Sequence, residues 1–395
     1  MSNNYYNLNY NTVDTKKVEV AENTKPLNVV SLFSGAGGMD LGFRGGFEYL
    51  GEYYDKNPFN LVFANDIFQQ AADVYEANFG HKVERRSIAD LKMDVDMPDI
   101  DVDIVLGGFP CQTFSYSGKR AGLSDERGQL YLQMIRVIDH YKPKMFVAEN
   151  VDGIRNSRKN IEGEDVDKSA LSVILDDFEK HGYNVQYRIL TAADYGVPQM
   201  RRRVIIMGIR KDLGSIDNEF YPQKVFDETG EFTGRAWRTS KDGIDDLWDK
   251  VNHPNIPNHT LKDISKAKFY PGKKMQGNNR IAENRPAPTI RAEHHGNIEA
   301  HYRTTVEDET DMSGWRRLSV RECARLQSFP DSFNFVTSAS SAYKVIGNAV
   351  PPVMAWHIAR SVFFTLQQLE EVEFEKSNEK KLISNRIVVN EGVLN

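Results

Sequence analysis

A chain of 395 residues, 40% hydrophobic and 27% charged, has the make-up of a globular protein, and its length suits two domains or one large domain with an insertion. Two distant cysteines, Cys111 and Cys323, exclude a disulfide framework and a structural zinc site, so no metal is expected and a reducing, cytoplasmic setting is. A net charge of −6 argues against sequence-blind coating of a polyanion, and no stretch approaches the length of a membrane span.

Residues 1–26 are rich in Asn, Tyr and Thr and read as a flexible lead. The first strand, at Val29-Val30, runs into Ser31-Leu32-Phe33-Ser34-Gly35-Ala36-Gly37-Gly38, a glycine-rich turn that opens a helix and lets a ligand approach the backbone. Its spacing is not that of a dinucleotide fingerprint, and such a turn can simply join a strand to a helix. The second strand, Leu61-Val62-Phe63, ends at Ala64-Asn65-Asp66, where a carboxylate can accept bonds from ribose hydroxyls. Together the two strand ends point to a nucleoside-containing cofactor.

A helical pattern over Phe68–Phe79 precedes the third strand, Ile104-Val105-Leu106. That strand ends in Gly107-Gly108-Phe109-Pro110-Cys111-Gln112, where two glycines permit a tight turn and proline stiffens the approach to a cysteine. The hexapeptide alone fits a presented nucleophile and a small core hydrophobe equally well. Helical patterns follow at Gly128–Tyr141 and Lys168–His181, with Gly182 as a C-terminal cap. Between them Met145-Phe146-Val147 leads to Glu149-Asn150-Val151, placing a carboxyl at the edge that holds Asp66 and Cys111. Gln199-Met200-Arg201-Arg202-Arg203 precedes the strand Val204-Ile205-Ile206, and alternation puts Arg201 and Arg203 on one face. Strands alternating with helices imply a doubly wound, mostly parallel α/β sheet, placed at 27–210.

From Lys211 to Ser313 the rhythm stops, and a segment rich in Asn, His, Pro and Gly reads as a smaller irregular or β domain. Order returns at 314–369 with the capping-box pattern of Ser319 to Glu322, which opens a helix burying Cys323, and with a second helix after Gly347-Asn348. Residues 370–395 form a charged, poorly ordered tail.

The ordered set of motifs resembles that of the C5-cytosine DNA methyltransferases of the bacterial restriction-modification type. The resemblance rests on the Phe33–Gly38 loop, Pro110-Cys111-Gln112, Glu149-Asn150-Val151, Gln199-x-Arg201-x-Arg203, Arg317 through Glu322 to Pro330, and Gly347-Asn348-Ala349-Val350. It covers 28–210 and 314–362. It implies S-adenosyl-L-methionine as cofactor, leaving as S-adenosyl-L-homocysteine, held by Phe33, Ser34, Gly35, Gly37, Gly38, Asp66, Ile67, Ser87, Ile88, Asn348 and Val350. One departure stands out: the family often has Gly-Asp-Ile with an acid near the adenine, whereas this chain has Arg86-Ser87-Ile88, so that Ser87 or Asp90 takes the acid's place.

By the same resemblance Cys111 is the nucleophile, flanked by Pro110 and Gln112, Glu149 holds the base at N3 and its amino group, Arg203 binds O2, and Arg201 supports the pocket. Double-stranded DNA is the implied partner. The loop Gln112–Arg127 suits a lid, with Ser117, Lys119 and Arg120 as DNA contacts, and 211–313 suits target recognition, with Lys273, Arg280 and Arg291 among its base or phosphate contacts. A monomer is expected, and a separate restriction endonuclease is the partner such a system would include. The competing readings are the tRNA-methylating branch of the family and a catalytically silent DNA- or cofactor-binding protein.

Overall fold

The structure, a computed structural model, describes residues 11–110, 130–155, 169–215, 220–264, 278–292, 300–304 and 315–391. At its centre is a six-stranded sheet made of β1 (Leu27–Leu32), β2 (Phe59–Asn65), β3 (Ile104–Gly107), β4 (Met145–Val151), β5 (Tyr183–Thr191) and β6 (Arg202–Arg210), in the order β2-β1-β3-β4-β6-β5. Strands β2, β1, β3 and β4 pair in parallel, while β6 runs antiparallel to both β4 and β5. This is the doubly wound, mostly parallel sheet that the alternation of strands and helices implies.

The unbroken apolar runs are explained by burial on both faces. Val29, Ile104, Leu106, Met145, Val147 and Ile205 enter one core, and Val30, Val105, Phe146, Val204 and Ile206 enter the other. Helices α1 (Gly38–Arg44) and α2 (Gln69–Phe79) follow β1 and β2, and α3 (Leu130–Tyr141) and α4 (Ala170–Lys180) pack on the second core. Helix α4 is capped by the Ser169 side chain and stops at His181, before Gly182 at φ 95°.

Strand β5 is the element the apolar-run reading omits. Its Tyr-Asn-Val-Gln-Tyr-Arg-Ile-Leu-Thr sequence alternates buried and partly buried positions, as an edge strand does, so no continuous apolar run marks it.

The first core also takes in α5 (Val320–Leu326), α6 (Ala339–Asn348) and the first five turns of α7 (Pro352–Glu391). Ile244, Leu247, Ile281, Ala287 and Ile290, all from the expected recognition segment, lie in the same core. The described part of that segment therefore packs continuously with the sheet and shares its apolar interior.

Both ends of the chain carry more structure than composition suggests. Asn11–Val13 pairs in parallel with Phe220–Pro222, the buried Thr15 hydroxyl lies 2.5 Å from His357 Nδ1, and Arg360 donates to the Val18 carbonyl at 2.6 Å. Expected flexibility over 1–26 thus does not extend to 11–18, because α7 supplies buried polar partners that sequence cannot reveal. Helix α7 continues to Glu391, through a run rich in Glu, Lys and Gln that are good helix formers although polar. No helix among the described residues is long and apolar enough to cross a membrane.

Candidate active site

Since β1 to β4 are parallel, their carboxyl ends share one edge, and the antiparallel β6 begins there. This puts the Phe33 turn, Asp66, Gly107-Gly108, Glu149 and Arg203 together. Within the β4–β6 ladder Glu149 sits opposite Ile205 and Val151 opposite Arg203. Paired residues face the same way, so Glu149 and Arg203 are diagonal neighbours on one face. Arg203 Nε lies 2.6 Å from Glu149 Oε1, and both side chains are about 11% exposed. A nearly buried carboxylate is held by a nearly buried guanidinium, with a small part of each open to the edge.

Gly108 marks where three motifs converge. A methyl group added there would lie 3.6 Å from Glu149 Oε2 and 3.9 Å from the Phe33 carbonyl oxygen. Its neighbour Asn150 points the other way along the strand's alternation and donates to the Phe109 carbonyl at 3.1 Å. One strand therefore places the carboxylate and fixes the turn that leads through Pro110 to Cys111. Gly107 is needed as well, since a Cβ there would come within 2.5 Å of the Met134 sulfur.

The glycine-rich turn is tied to the end of β2. Phe33 has φ 54°, Ser34 N–H donates to the Asn65 carbonyl at 3.0 Å, and Gly35 N–H donates to Asp66 Oδ2 at 2.8 Å. Asp66 Oδ1 accepts from Phe68 N–H at 2.8 Å. Burial raises the Asp66 carboxyl above its ordinary range, opposed by these two N–H groups and by the Lys344 charge. Gly37 and Gly38 are closed in by packing: Cβ atoms there would meet the Phe79 ring at 2.4 Å and the Val350 carbonyl at 2.3 Å. At Gly35 a Cβ would meet nothing within 4 Å, and Ile67 beside Asp66 is 65% exposed. An open cradle with a carboxylate and a bare apolar side chain fits the sugar and base of a nucleoside.

The other expected cofactor residues divide. Asn65 Nδ2 donates to the Glu84 and Arg86 carbonyls, which holds the stretch before Ser87 against the end of β2. The Ser87 hydroxyl accepts from Ala89 N–H, and Asp90 is exposed nearby. Ile88 is buried in the second core, and Val350 is buried with its carbonyl packed against Gly38. Asn348 is exposed at the end of α6. Lys344, which the sequence reading did not single out, lies over the Phe68 ring at 4.3 Å and is the cation nearest in effect to Asp66. Its position on the same face of α6 as Asn348, four residues on, is the signal that could have found it.

Arg201 and Arg203 end up in different surroundings. Arg201 precedes β6 and is fully buried, donating to the Ile290 carbonyl at 3.1 Å and to the Gly347 carbonyl at 3.0 Å. Burial pushes its guanidinium well below the ordinary value, Arg203 adds to the effect and Glu149 opposes it. The two Arg201 hydrogen bonds thus tie the start of β6 to two distant backbone segments. Cys323 is wholly buried in α5 and its thiol is raised by desolvation, as expected of a core cysteine. Arg280 is half-buried and Arg291 is exposed. Cys111, Gln112, Ser117, Lys119, Arg120 and Lys273 lie outside the described residues.

A family model described as C-5 cytosine-specific DNA methylase matches residues 27–363. The chain is 34% identical over 367 residues to the type II methyltransferase M.FnuDI of Fusobacterium nucleatum, across 88% of this chain and 98% of that one. It is 36% identical over 378 residues to the type II methyltransferase M.BsuRI of Bacillus subtilis, across 86% and 80%. Among solved structures, the Entamoeba histolytica methyltransferase EhMeth superposes with a TM-score of 0.63 at 18% identity, covering 87% of this chain and 99% of that one. DNMT2 of Spodoptera frugiperda gives 0.60 at 20%, covering 85% and 99%. These two likenesses speak for the fold.

Proposed function

The chain belongs to the C-5 cytosine-specific DNA methylase family, and from that premise we propose that it methylates a cytosine flipped out of a specific duplex sequence, through a covalent adduct of Cys111 at C6. Its activity is that of a DNA cytosine-5-methyltransferase. The observation that carries the finer reading is the Glu149–Arg203 pair beside Gly108, three residues before Cys111.

C5 of cytosine is a weak nucleophile, so methylation there calls for covalent activation. The Cys111 thiolate adds to C6, a carbon–sulfur bond forms, and the ring electrons move to C5. Glu149 holds N3 and the exocyclic amine, and a proton shared there offsets the charge that builds up. Arg203 faces O2 while keeping Glu149 oriented. S-adenosyl-L-methionine, held by the Gly35 cradle, Asp66 and Ile67, would supply the methyl group and leave as S-adenosyl-L-homocysteine. Loss of the C5 proton then expels the thiolate and restores aromaticity. Reaching a stacked base requires flipping it out at a cost of about a few kcal/mol, which binding energy from the DNA backbone offsets.

Residues 211–313 choose the sequence in this reading, with Arg291 as a guanine reader and Arg280 and Lys273 in contact with DNA. The type II methyltransferase names among the relatives support a role in restriction-modification. In this reading a separate endonuclease acts on the same site, and the enzyme works as a cytoplasmic monomer. Those same names and the family description favour DNA over tRNA as substrate. Incubation with labelled S-adenosyl-L-methionine and either DNA or tRNA tests this directly. Label in tRNA alone would overturn it, and failure to trap wild-type enzyme on 5-fluorocytosine DNA would remove Cys111 from its role.

A further inference from the structure

Ile290 is gripped at both its backbone N–H and its carbonyl by two side chains from the stretch that leads into β6. Its N–H donates to Gln199 Oε1 at 3.0 Å, and its carbonyl accepts from Arg201 at 3.1 Å. The same stretch pairs with it as a short parallel ladder, Gln199 opposite Ala287 and Met200 opposite Pro288, and the Thr289 hydroxyl donates to the Met200 carbonyl at 2.7 Å. Gln199 and Arg201 are both completely buried. Both also donate to the C-terminal part of the chain: Gln199 Nε2 to Leu326 O and Gln327, and Arg201 Nη2 to Gly347 O. Gly347 itself has no room for a side chain, since a Cβ would come within 2.2 Å of the Arg291 carbonyl carbon.

We propose that Gln199 and Arg201 are positioning residues that seat the strap 287–291 against the stretch leading into β6, two residues before Arg203, so that seating of the recognition segment and alignment of the Glu149–Arg203 pair are one event. The proposal rests on the reading that 211–313 selects the DNA sequence. The physical argument is one of connection. Arg201 is two residues from Arg203, and its guanidinium has no solvent to turn to, so a shift of the strap leaves the Ile290 carbonyl and one arm of a buried guanidinium without partners. Such a shift is therefore resisted in both directions. The strap ends at the exposed Arg291, the residue assigned above to guanine reading. A merely supportive arginine would need no contact with the recognition segment, and one acting on substrate would need an open path to the edge, which complete burial denies.

The test compares wild type with Arg201→Lys, which keeps the charge but only part of the grip, and with Gly347→Ala, which keeps both side chains and pushes the strap away. Three measurements are made on the full chain: hydrogen exchange across 287–291, sequencing of methylated cytosines on plasmid DNA, and steady-state kinetics. Both variants should exchange at least tenfold faster across the strap and methylate additional sequences related to the wild-type site. They should lose tenfold or more in kcat, while KM for S-adenosyl-L-methionine stays within about twofold. Unchanged exchange in Gly347→Ala would overturn the grip itself. Faster exchange with unchanged kcat would overturn the coupling, whereas faster exchange with slower turnover and an unchanged set of methylated sites would overturn only the assignment of sequence choice to this segment. A parallel rise in cofactor KM and loss of overall stability in both variants would reduce Gln199 and Arg201 to support of the fold.

Discussion

Arg203 meets Glu149 as a diagonal neighbour across two antiparallel strands, Nε to Oε1 at 2.6 Å, at the edge where the parallel strands of the sheet end. The pair is almost fully shielded, so each member depends on the other. Arg203→Ala should cost about 3–5 kcal/mol of stability because it leaves a buried carboxylate unpaired. Adding Glu149→Gln in the same chain should return a large part of that loss. Denaturant unfolding of the two single variants and the double variant measures the coupling, and strictly additive effects would contradict the pairing.

Glu149→Gln alone should keep cofactor binding and reduce methyl transfer by about 100-fold to 10,000-fold, the usual range for loss of a positioned acid–base group. Calorimetric titration with S-adenosyl-L-homocysteine alongside single-turnover transfer separates the two. A drop in cofactor affinity of similar size would place Glu149 in the nucleoside site instead.

Asp66→Ala should weaken S-adenosyl-L-methionine binding more than DNA binding. The carboxylate holds Gly35 and Phe68 by their N–H groups, and in the proposed complex it also meets ribose hydroxyls, each charge-assisted bond being worth roughly 1.5–3 kcal/mol. Unchanged affinity would shift the nucleoside to Ser87 or Asp90.

Asp40 gives a pH dependence of stability. It is fully buried in the first turn of α1, accepts from the Ser31 hydroxyl at 2.7 Å, and burial pushes its carboxyl up from 3.8 to about 6. Its folded value is above its unfolded one, so the native state holds the proton more tightly and stability falls as pH rises from about 4 through about 6. Asp40→Asn, which imitates the protonated form, should therefore be more stable than wild type at pH 7 and lose that advantage near pH 4. Melting temperatures across this range would show the curves converging on the acid side, and convergence on the alkaline side would reverse the assignment.

Deleting residues 1–18 should lower the melting temperature, since His357 and Arg360 would each lose a buried partner at about 1–3 kcal/mol. An unchanged melting temperature would mean that α7 repacks without this segment.

The sheet and the residues at its strand ends were legible because they are local. Short apolar runs such as Ile104-Val105-Leu106 must be buried on both faces, and the residues just after them, Gly107-Gly108 or Asn65-Asp66, are fixed at a strand's carboxyl end by position alone. Parallel strands then bring those ends together, and the motif order supplied the family. Three features needed the folded chain. Strand β5 was hidden because an edge strand alternates and imitates polar loop. The stretch 11–18 looked flexible because its partners, His357 and Arg360, lie more than three hundred residues away. Alternation grouped Arg201 with Arg203, but only tertiary structure decides which arginine pairs with Glu149 and which is buried against carbonyls, since both are the same residue type two positions apart. That choice is made by Ile290 and Gly347, contributed by distant segments whose backbone groups had to be satisfied once they were buried.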